Sequence, residues 1–419
     1  MALMRKKHPH HAQAVGSNAP AKDAAQARTS SAQAGVTAPS QNTLSRMRIF
    51  KDAKNMIQLN YSASLATPNL GASNIFTFTP KNIGLIKRIF VEAIVTGTTV
   101  ASQTLTLSTF GPANIFSNIT FIDYQNQWRI NTTGWHLIAV NTLRTALQQG
   151  SSSPLAAAQT SDTPLGYTNV LAPISAPATV AASTPWTIKM VFEVPICYAD
   201  NDFRGAIYMA TTGANTTLNM TLNPSFFVAA GSDQTNAVFS YTGAAPTITN
   251  VTLNFYQNYL DQLPLGSDGK VILPANDINT IYQLQYTNIS GFTANNQLGV
   301  PYANLRSFQS TILVYDNGGT LNAGTDITSF GLQAANNTFL WQFDTQLCSY
   351  LTRKIINCDM PKGMYYFDHR KDPISTDQFG NTQFVFIPNL VNSNAVLYVA
   401  YEFFASRQTI MQSEGLPSG

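Results

Sequence analysis

Five histidines occur, and only His136 and His369 lie beyond residue 11. Either imidazole could act as a general base if the fold brought it a nucleophile and an orienting acid. His136 follows Gly134-Trp135 at a helix start, and no G-x-S-x-G elbow marks a serine, so both imidazoles read as structural. The run Asp200-Asn201-Asp202-Phe203-Arg204-Gly205 opens like a calcium loop. It then puts Arg204 where an oxygen ligand is wanted and Thr211 where the bidentate glutamate would stand, so it reads as a turn. Asp368-His369-Arg370-Lys371-Asp372, ahead of Pro373, is a mixed charge run suited to a solvated loop or to salt bridges between subunits. Neither G-x-x-x-x-G-K-[ST] nor G-x-G-x-x-G occurs, so nucleotide binding has no support. Cys197, Cys348 and Cys358 form no C-x-x-C and are odd in number, which points to free thiols in a reducing compartment. His8, His10 and His11 sit in a flexible-looking leader and add charge at low pH. The expectation is no catalytic group, no cofactor and no metal ion.

What remains chemically distinctive is charge placement. The 419 residues are only 11% charged, well below the ~25% of ordinary soluble domains. Polarity comes from Asn, Thr, Ser and Gln, and between residues 205 and 260 the single charge is Asp233. Such uncharged surface suits faces that pack repeatedly on neighbours. Residues 1–54 hold nine basic side chains (Arg5, Lys6, Lys7, Lys22, Arg28, Arg46, Arg48, Lys51, Lys54) against Asp23 and Asp52, a net +7; the rest is −4. A basic arm on a mildly acidic body calls for an anionic partner. Residues 1–43 have too few large apolar groups to offset ordering entropy and read as disordered in isolation. Residues 44–57 could form a basic helix with Leu44, Met47, Phe50 and Ile57 on an apolar face that Arg46 interrupts. No apolar h-region follows the first basic residues, and no run of 18 apolar residues occurs, so neither a signal peptide nor a spanning helix is expected.

The elements that must position these residues are mostly strands. Thr, Val, Ile and Phe enrichment between Gly/Asn/Pro breaks predicts strands over 75–78, 85–96, 115–124, 282–286, 310–315, 383–387 and 396–404. Trp135, Ile138, Ala139, Leu143, Ala146 and Leu147 keep helical spacing between Thr133 and Gly150. Phe339, Phe343, Leu347, Leu351 and Ile355 do the same after Thr338. Each helix precedes a D-x-P-x-G turn, Asp162–Gly166 and Asp359–Gly363, and each unit closes on an aromatic strand, Val251 with Tyr256 and Tyr259, then Val396 with Tyr401 and Phe404. The pattern predicts a tandem duplication of domain size. The turns lie 197 residues apart and the closing strands 145, so unit one holds 52 extra residues, placed in a surface loop around 211–243. The expected fold is all-β: two tandem jelly-roll sandwiches with short inserted helices and a basic N-terminal arm. The expected boundaries are 1–58 for the arm, 59–262 and 263–407 for the two units, and 408–419 for a tail.

The chain resembles the major capsid proteins of tectiviruses, double-stranded DNA phages with an internal membrane. The resemblance rests on Phe110-Gly111-Pro112-Ala113-Asn114, Gly134-Trp135-His136-Leu137 with Val140-Asn141-Thr142, and Ala176-Pro177-Ala178-Thr179. It continues through Tyr256-Gln257-Asn258-Tyr259-Leu260-Asp261-Gln262-Leu263-Pro264, Tyr302-Ala303-Asn304-Leu305, Asp316-Asn317-Gly318-Gly319 and Asn322-Ala323-Gly324-Thr325-Asp326-Ile327. Pro361-Lys362-Gly363 with Tyr365-Tyr366, and Tyr401-Glu402 with Ser406-Arg407, complete it. It implies a non-catalytic double jelly roll in a homotrimer of pseudo-hexagonal outline. Such trimers tile an icosahedral shell with neighbouring capsomers and other capsid proteins, without sequence-specific nucleic acid binding. The location implied is the virion, after synthesis in the host cytoplasm. The family's N-terminal segment faces the membrane, which makes Arg5, Lys6, Lys7, Arg46, Arg48, Lys51 and Lys54 the candidate membrane-facing residues. Deleting residues 1–54 is then expected to leave a folded body that no longer binds liposomes. A β-sandwich carbohydrate-binding or host-attachment protein is the alternative from composition, and an all-β hydrolase lacks a recognisable nucleophile or acid pair.

Overall fold

The computed structural model describes residues 40–148, 174–209, 215–321, 324–334, 338–356, 360, 363–376 and 382–406. In the first half the order is α1 (Gln41–Asp52), β1 (Lys54–Ala66), β2 (Ile75–Phe78), β3 (Leu85–Thr98), β4 (Thr104–Leu107), a 3₁₀ turn (Gly111–Ile115), β5 (Phe116–Ile122), β6 (Trp128–Thr132) and α2 (Gly134–Gln148). Then come β7 (Ile174–Ser175), β8 (Thr179–Val180), β9 (Pro185–Pro195), β10 (Ile207–Tyr208), β11 (Thr217–Leu222), β12 (Phe227–Ala229), β13 (Phe239–Thr242) and β14 (Thr247–Asp261). The second half runs α3 (Ala275–Ile278), β15 (Thr280–Ser290), β16 (Leu298–Pro301), β17 (Ser307–Asp316), β18 (Ile327–Ala334) and β19 (Thr338–Phe343). It ends with α4 (Thr345–Ile356), β20 (Met364–Asp368), β21 (Ile374–Ser375), β22 (Gln383–Pro388) and β23 (Val396–Ser406).

The duplication is written in the sheet orders. In the first half one sheet runs β1-β14-β3-β9 and its partner β2-β11-β5-β6; in the second the equivalents are β15-β23-β17-β20 and β16-β22-β18-β19. Each closing strand, β14 or β23, sits between the first and third strands of its unit, and each long helix follows the fourth strand of the partner sheet. The two sandwiches are fused. β6 pairs parallel with β15 (Ile130 with Leu284, Asn131 with Gln285), so the β2-β11-β5-β6 and β15-β23-β17-β20 sheets are one continuous sheet.

Burial follows from this layering. β3 and β9 alternate fully buried residues with less buried ones, as strands with one face on the core do. In β17 and β23 nearly every residue is buried, because both faces are covered. Ile312, Val314, Tyr398 and Ala400 face the first core, while Leu313, Tyr315, Leu397 and Val399 face the second. Gly134 starts α2 where a Cβ would collide with the Ala113 carbonyl oxygen, so the helix can begin this close to the 3₁₀ turn only at glycine.

Three expectations need correction. The stretch placed in a surface loop around 211–243 contains β11, whose Leu218, Met220 and Leu222 are core, wedged between β2 and β5; β12 and β13 pair in a smaller sheet with β4 and β8. Uncharged Thr/Asn strands hide easily because only every second residue is apolar. The second helix does not begin after Thr338. Residues 338–343 form β19, with Trp341 stacked on Phe367, and the helix starts where Asp344 accepts the Leu347 N–H at 2.8 Å. An aromatic-alternating run prefers the sheet once β18 offers a partner edge. The basic helix ends at Asp52 rather than running to 57, and Ile57 lies on β1. The first D-x-P-x-G turn and most of the second lie outside the described residues.

Candidate interaction face at the N-terminal helix

Ser40 caps α1, its hydroxyl oxygen accepting the Thr43 N–H at 3.2 Å. The helix docks through Ile49 and Arg46, which the apolar-face reading left out, and through Phe50, which it included. Ile49 is fully buried among Leu85, Cys197, Phe203, Ala206 and Leu260, and Phe50 stacks on Phe203 with ring centroids 4.9 Å apart. Arg46 forms a forked ion pair with Asp277 and reaches Asp202 at 3.6 Å. Asn42 donates to the same Asp277 carboxylate at 3.0 Å. The Asp277 hydrogen bond is the largest influence on Arg46 and pushes its pKa further up. The arginine that broke the apolar arc is therefore the residue that anchors the helix to the start of the second unit.

The outward stripe is different. Leu44, Met47, Arg48 and Lys51 follow i, i+3, i+4, i+7 spacing and are all exposed, Met47 by 61%. Lys54, Ile57 and Leu59 carry the same mixture of basic and apolar side chains onto β1. Long basic side chains beside exposed Leu and Met can reach a charged surface while their stems and neighbours cover apolar area. Of the seven candidate membrane-facing residues, Arg48, Lys51 and Lys54 are exposed here, Arg46 points inward, and Arg5, Lys6 and Lys7 lie outside the described residues. Among the described residues no helix is long and apolar enough to cross a membrane.

Behind the helix runs a polar relay. The Gly205 N–H donates to the Asp277 backbone carbonyl at 3.2 Å, and the Gly205 carbonyl accepts from Arg129 Nη1 at 3.2 Å. Arg129 Nε donates to Asp123 Oδ2 at 2.7 Å, with both side chains almost fully buried (1% and 0% exposed). Asp123 Oδ1 in turn accepts the Gln125 and Gln127 N–H groups, holding the β5–β6 hairpin. Hence α1, the start of the second unit and the strand that joins the two sandwiches are one hydrogen-bonded structure. Nothing in the sequence spacing signals it, since Asp123 and Asp277 look like loop acids until the fold buries them.

The residues that first suggested chemistry are occupied elsewhere. His136 Nδ1 is hydrogen-bonded to the Thr132 hydroxyl in the first core. Arg204 folds back on Asp202 (Nε–Oδ2 2.8 Å), which makes residues 200–205 a closed turn. Arg370 pairs with Asp368 within its own loop (Nε–Oδ1 2.6 Å). Cys197 and Cys348 are buried thiols outside any disulfide; Cys358 lies outside the described residues. His369 and Cys348 line an apolar cavity of about 230 Å³ with Trp341 and Phe367. Burial drives the imidazole down to about 4 and the thiol up to about 12, which makes the imidazole a weak base and keeps the thiol protonated at neutral pH.

That burial has a pH signature. His369 takes its proton near 6.5 when unfolded and only near 4 when folded, so it favours the fold above 6.5 and this is lost as pH falls towards 4. The loss amounts to about 3 kcal/mol at most. Asp316 works in the opposite sense: burial first, then Asp233, raise it to about 6, so its contribution is present at low pH and lost as pH rises through 6. We expect His369→Gln to retain about 2–3 kcal/mol more of its pH 7 stability at pH 4.5 than the parent does. Urea unfolding at the two pH values measures this, and parallel losses in both proteins would refute it.

Two sandwiches of identical strand order fused through one sheet define a double jelly-roll protein. The comparisons with known proteins agree over most of the chain. Residues 19–263 match the P3 major capsid protein N-terminal family and residues 279–418 the P3 major capsid protein C-terminal family. The chain is 37% identical over 344 residues to major capsid protein P3 of Enterobacteria phage PRD1, covering 81% of this chain and 85% of that one. It belongs to the P3 major capsid protein family. Solved structures extend the fold to distant viruses. A protein of Sulfolobus Turreted Icosahedral Virus superposes with TM-score 0.58 at 13% identity, covering 87% of this chain and 94% of its own. The PBCV-1 VP54 protein superposes with TM-score 0.54 at 11% identity, covering 84% and 94%.

Proposed function

We propose that this chain is the major capsid protein of a membrane-containing icosahedral virion, a structural subunit rather than an enzyme. The observation that carries the reading is membership of the P3 family over both sandwiches. The fused pair supplies the geometry. Three copies present six similar sandwiches around one axis, giving a capsomer of pseudo-hexagonal outline that tiles a shell with neighbouring capsomers and other capsid proteins. In this reading residues 59–262 and 263–407 are the two rolls, 1–58 the arm and 408–419 the tail, and the subunit is made in the host cytoplasm before assembly. The arm lies on the inner side. Arg5, Lys6 and Lys7, with the exposed Arg48, Lys51 and Lys54, face the membrane, while Arg46 fixes the helix from which they project.

Two measurements test it. Light scattering on a sizing column should give a species near three times 45.5 kDa, and a clean monomer at micromolar concentration would refute the trimer. The membrane contact is tested by deleting residues 1–39. The docking of Ile49 and Arg46 moves the cut from 54 to 39, because removing α1 would open the Ile49 site and leave the Asp277 carboxylate, 3% exposed, without its cation. Residues 1–39 hold five basic side chains and one acidic, a net +4. At about 1 kcal/mol per basic residue beside an anionic leaflet, that gives at most about 4 kcal/mol per subunit, multiplied by the number of arms a capsomer presents. The truncated protein, carrying also Arg48→Glu, Lys51→Glu and Lys54→Glu on the outward stripe that the cut leaves in place, should keep the trimer mass and lose flotation with anionic liposomes. Equal flotation of both proteins would sink the membrane assignment.

A further inference from the structure

The joint between the two sandwiches is made by a strand and the helix after it. β6, the last strand of its sheet in the first unit, pairs parallel with β15, the first strand of the second unit. α2 follows β6 and lies against the same joint, with Trp135 meeting Tyr286 of β15 edge-on, ring centroids 6.1 Å apart. Coverage on both sides is complete. From Gly134 to Leu143 every residue of α2 is buried apart from the half-buried Asn141. The outward face of β15, β17 and β23 is buried with it, through Leu284, Ile312, Val314, Tyr398 and Ala400.

The equivalent elements occur a second time without meeting each other. β19 is the last strand of its sheet in the second unit and is followed by α4, as β6 is by α2. β1 is the first strand of the first unit, as β15 is of the second. Among the described residues neither β19 nor β1 has a strand on its outer side. Both surfaces are bare and apolar. Between residues 345 and 355 only Cys348 and Thr352 of α4 are buried, while Leu347, Tyr350 (62% exposed) and Leu351 stand open beside Phe339 and Leu340 of β19. On β1, Met56 packs on the core and the alternating Ile57 and Leu59 (53% exposed) point away from it. β19 carries no charge and no proline, and β1 none beyond Lys54, although free edges ordinarily carry such residues to prevent pairing. Exposed apolar surface on unguarded edges marks an interaction site.

We propose that the β19–α4 edge of one copy docks on the β1 edge of the next, repeating between subunits the joint that β6 and α2 make with β15 inside one. The occupant of each bare surface is a second copy of this chain. The repeat also names what α4 covers: the outward face of β1, β14 and β3, where Phe90, Ile94 and Tyr256 are half-buried beside the exposed Leu59. Strand addition satisfies the backbone groups of both free edges, and the apolar side chains supply the buried area. The two surfaces differ, so the contact is head-to-tail. It leaves a free surface at each end of a pair and is satisfied only when a ring closes. The inference rests on the trimer proposed above and names the surfaces that close it: three joints within chains and three between them.

The test uses two full-length variants, each disabling one surface: Leu347→Asp with Tyr350→Asp on α4, and Ile57→Asp with Leu59→Asp on β1. All four positions are exposed in the single subunit, so both variants should keep the far-UV circular dichroism of the parent. By light scattering at micromolar concentration the parent should be a trimer and each variant alone a monomer of 45.5 kDa. Mixed in equal amounts, the variants should give a species of twice that mass and nothing larger, because one intact head meets one intact tail and the other two surfaces are disabled. Amide hydrogen exchange over residues 338–343 should be slower in the parent than in either variant, since pairing protects the edge. A variant that stays trimeric, or a mixture that stays monomeric, would overturn the assignment of these surfaces while leaving the trimer standing. A monomeric parent would remove the trimer as well, and equal exchange over β19 in parent and variants would refute the strand pairing.

Discussion

Arg129→Ala is expected to destabilise the subunit by about 3–5 kcal/mol, among the largest effects of any single change. The guanidinium and the Asp123 carboxylate are both almost fully buried, so truncating one leaves the other as an uncompensated charge in a low-dielectric interior. The cost spreads beyond the pair. Asp123 holds the β5–β6 hairpin through two backbone N–H groups, and Arg129 also holds the Gly205 carbonyl. β6 is the strand that joins the two sandwiches, so a loosened hairpin weakens the seam itself. The companion variant Asp123→Asn with Arg129→Met keeps an acceptor for the turn and removes both charges; it should recover much of the loss. Denaturant unfolding of the three proteins decides the point. If the single and double variants were equally unstable, the penalty would come from packing and not from the stranded charge.

Phe330→Ala is expected to cost a similar 3–5 kcal/mol and to do so in one transition. Phe330 is fully buried at the centre of the second core, with the rings of Tyr365 at 4.8 Å, Phe367 at 5.2 Å and Phe386 at 6.1 Å. Removing it leaves a cavity that stacked aromatics on fixed strands cannot close. In a pair of independent domains only the second would melt early. Here β17 and β23 carry one core on each face, so their loss strips the first core of Ile312, Val314, Tyr398 and Ala400 as well. Far-UV circular dichroism and tryptophan fluorescence should therefore move together at a lowered midpoint, since Trp135 and Trp186 lie in the first core and Trp341 packs on the second. Two separated transitions would show that the common sheet does not couple the halves.

The parts of this protein that could be read from its sequence are those set by short-range physics. Strand periodicity located β2, β3, β22 and β23 to within two residues at each end and β17 to within three, because β-branched and aromatic alternation between turn residues is a local property. The recurrence of helix and aromatic closing strand revealed two copies of one unit, and the sheet orders repeat accordingly. Motifs spread along the chain pointed to a capsid family to which the chain belongs. The lack of any elbow, nucleotide loop or metal spacing turned attention from catalysis to surfaces.

Tertiary structure decided what depends on partners distant in sequence. Residues 338–343 keep helical spacing with the segment that follows, yet become β19 because β18 supplies an edge and Phe367 supplies a ring for Trp341. Thr217–Leu222 reads as polar loop and becomes a core strand because β2 and β5 flank it. Arg46 reads as a flaw in an apolar stripe and becomes the anchor of α1, since Asp277, 231 residues away, is delivered to it by the fold. The pairing of β6 with β15, which makes one protein of two sandwiches, involves strands whose sequences carry no mark of each other. Pattern and propensity act over a few residues, whereas charge pairing, strand adjacency and the covering of a second face are fixed only when the chain has closed on itself.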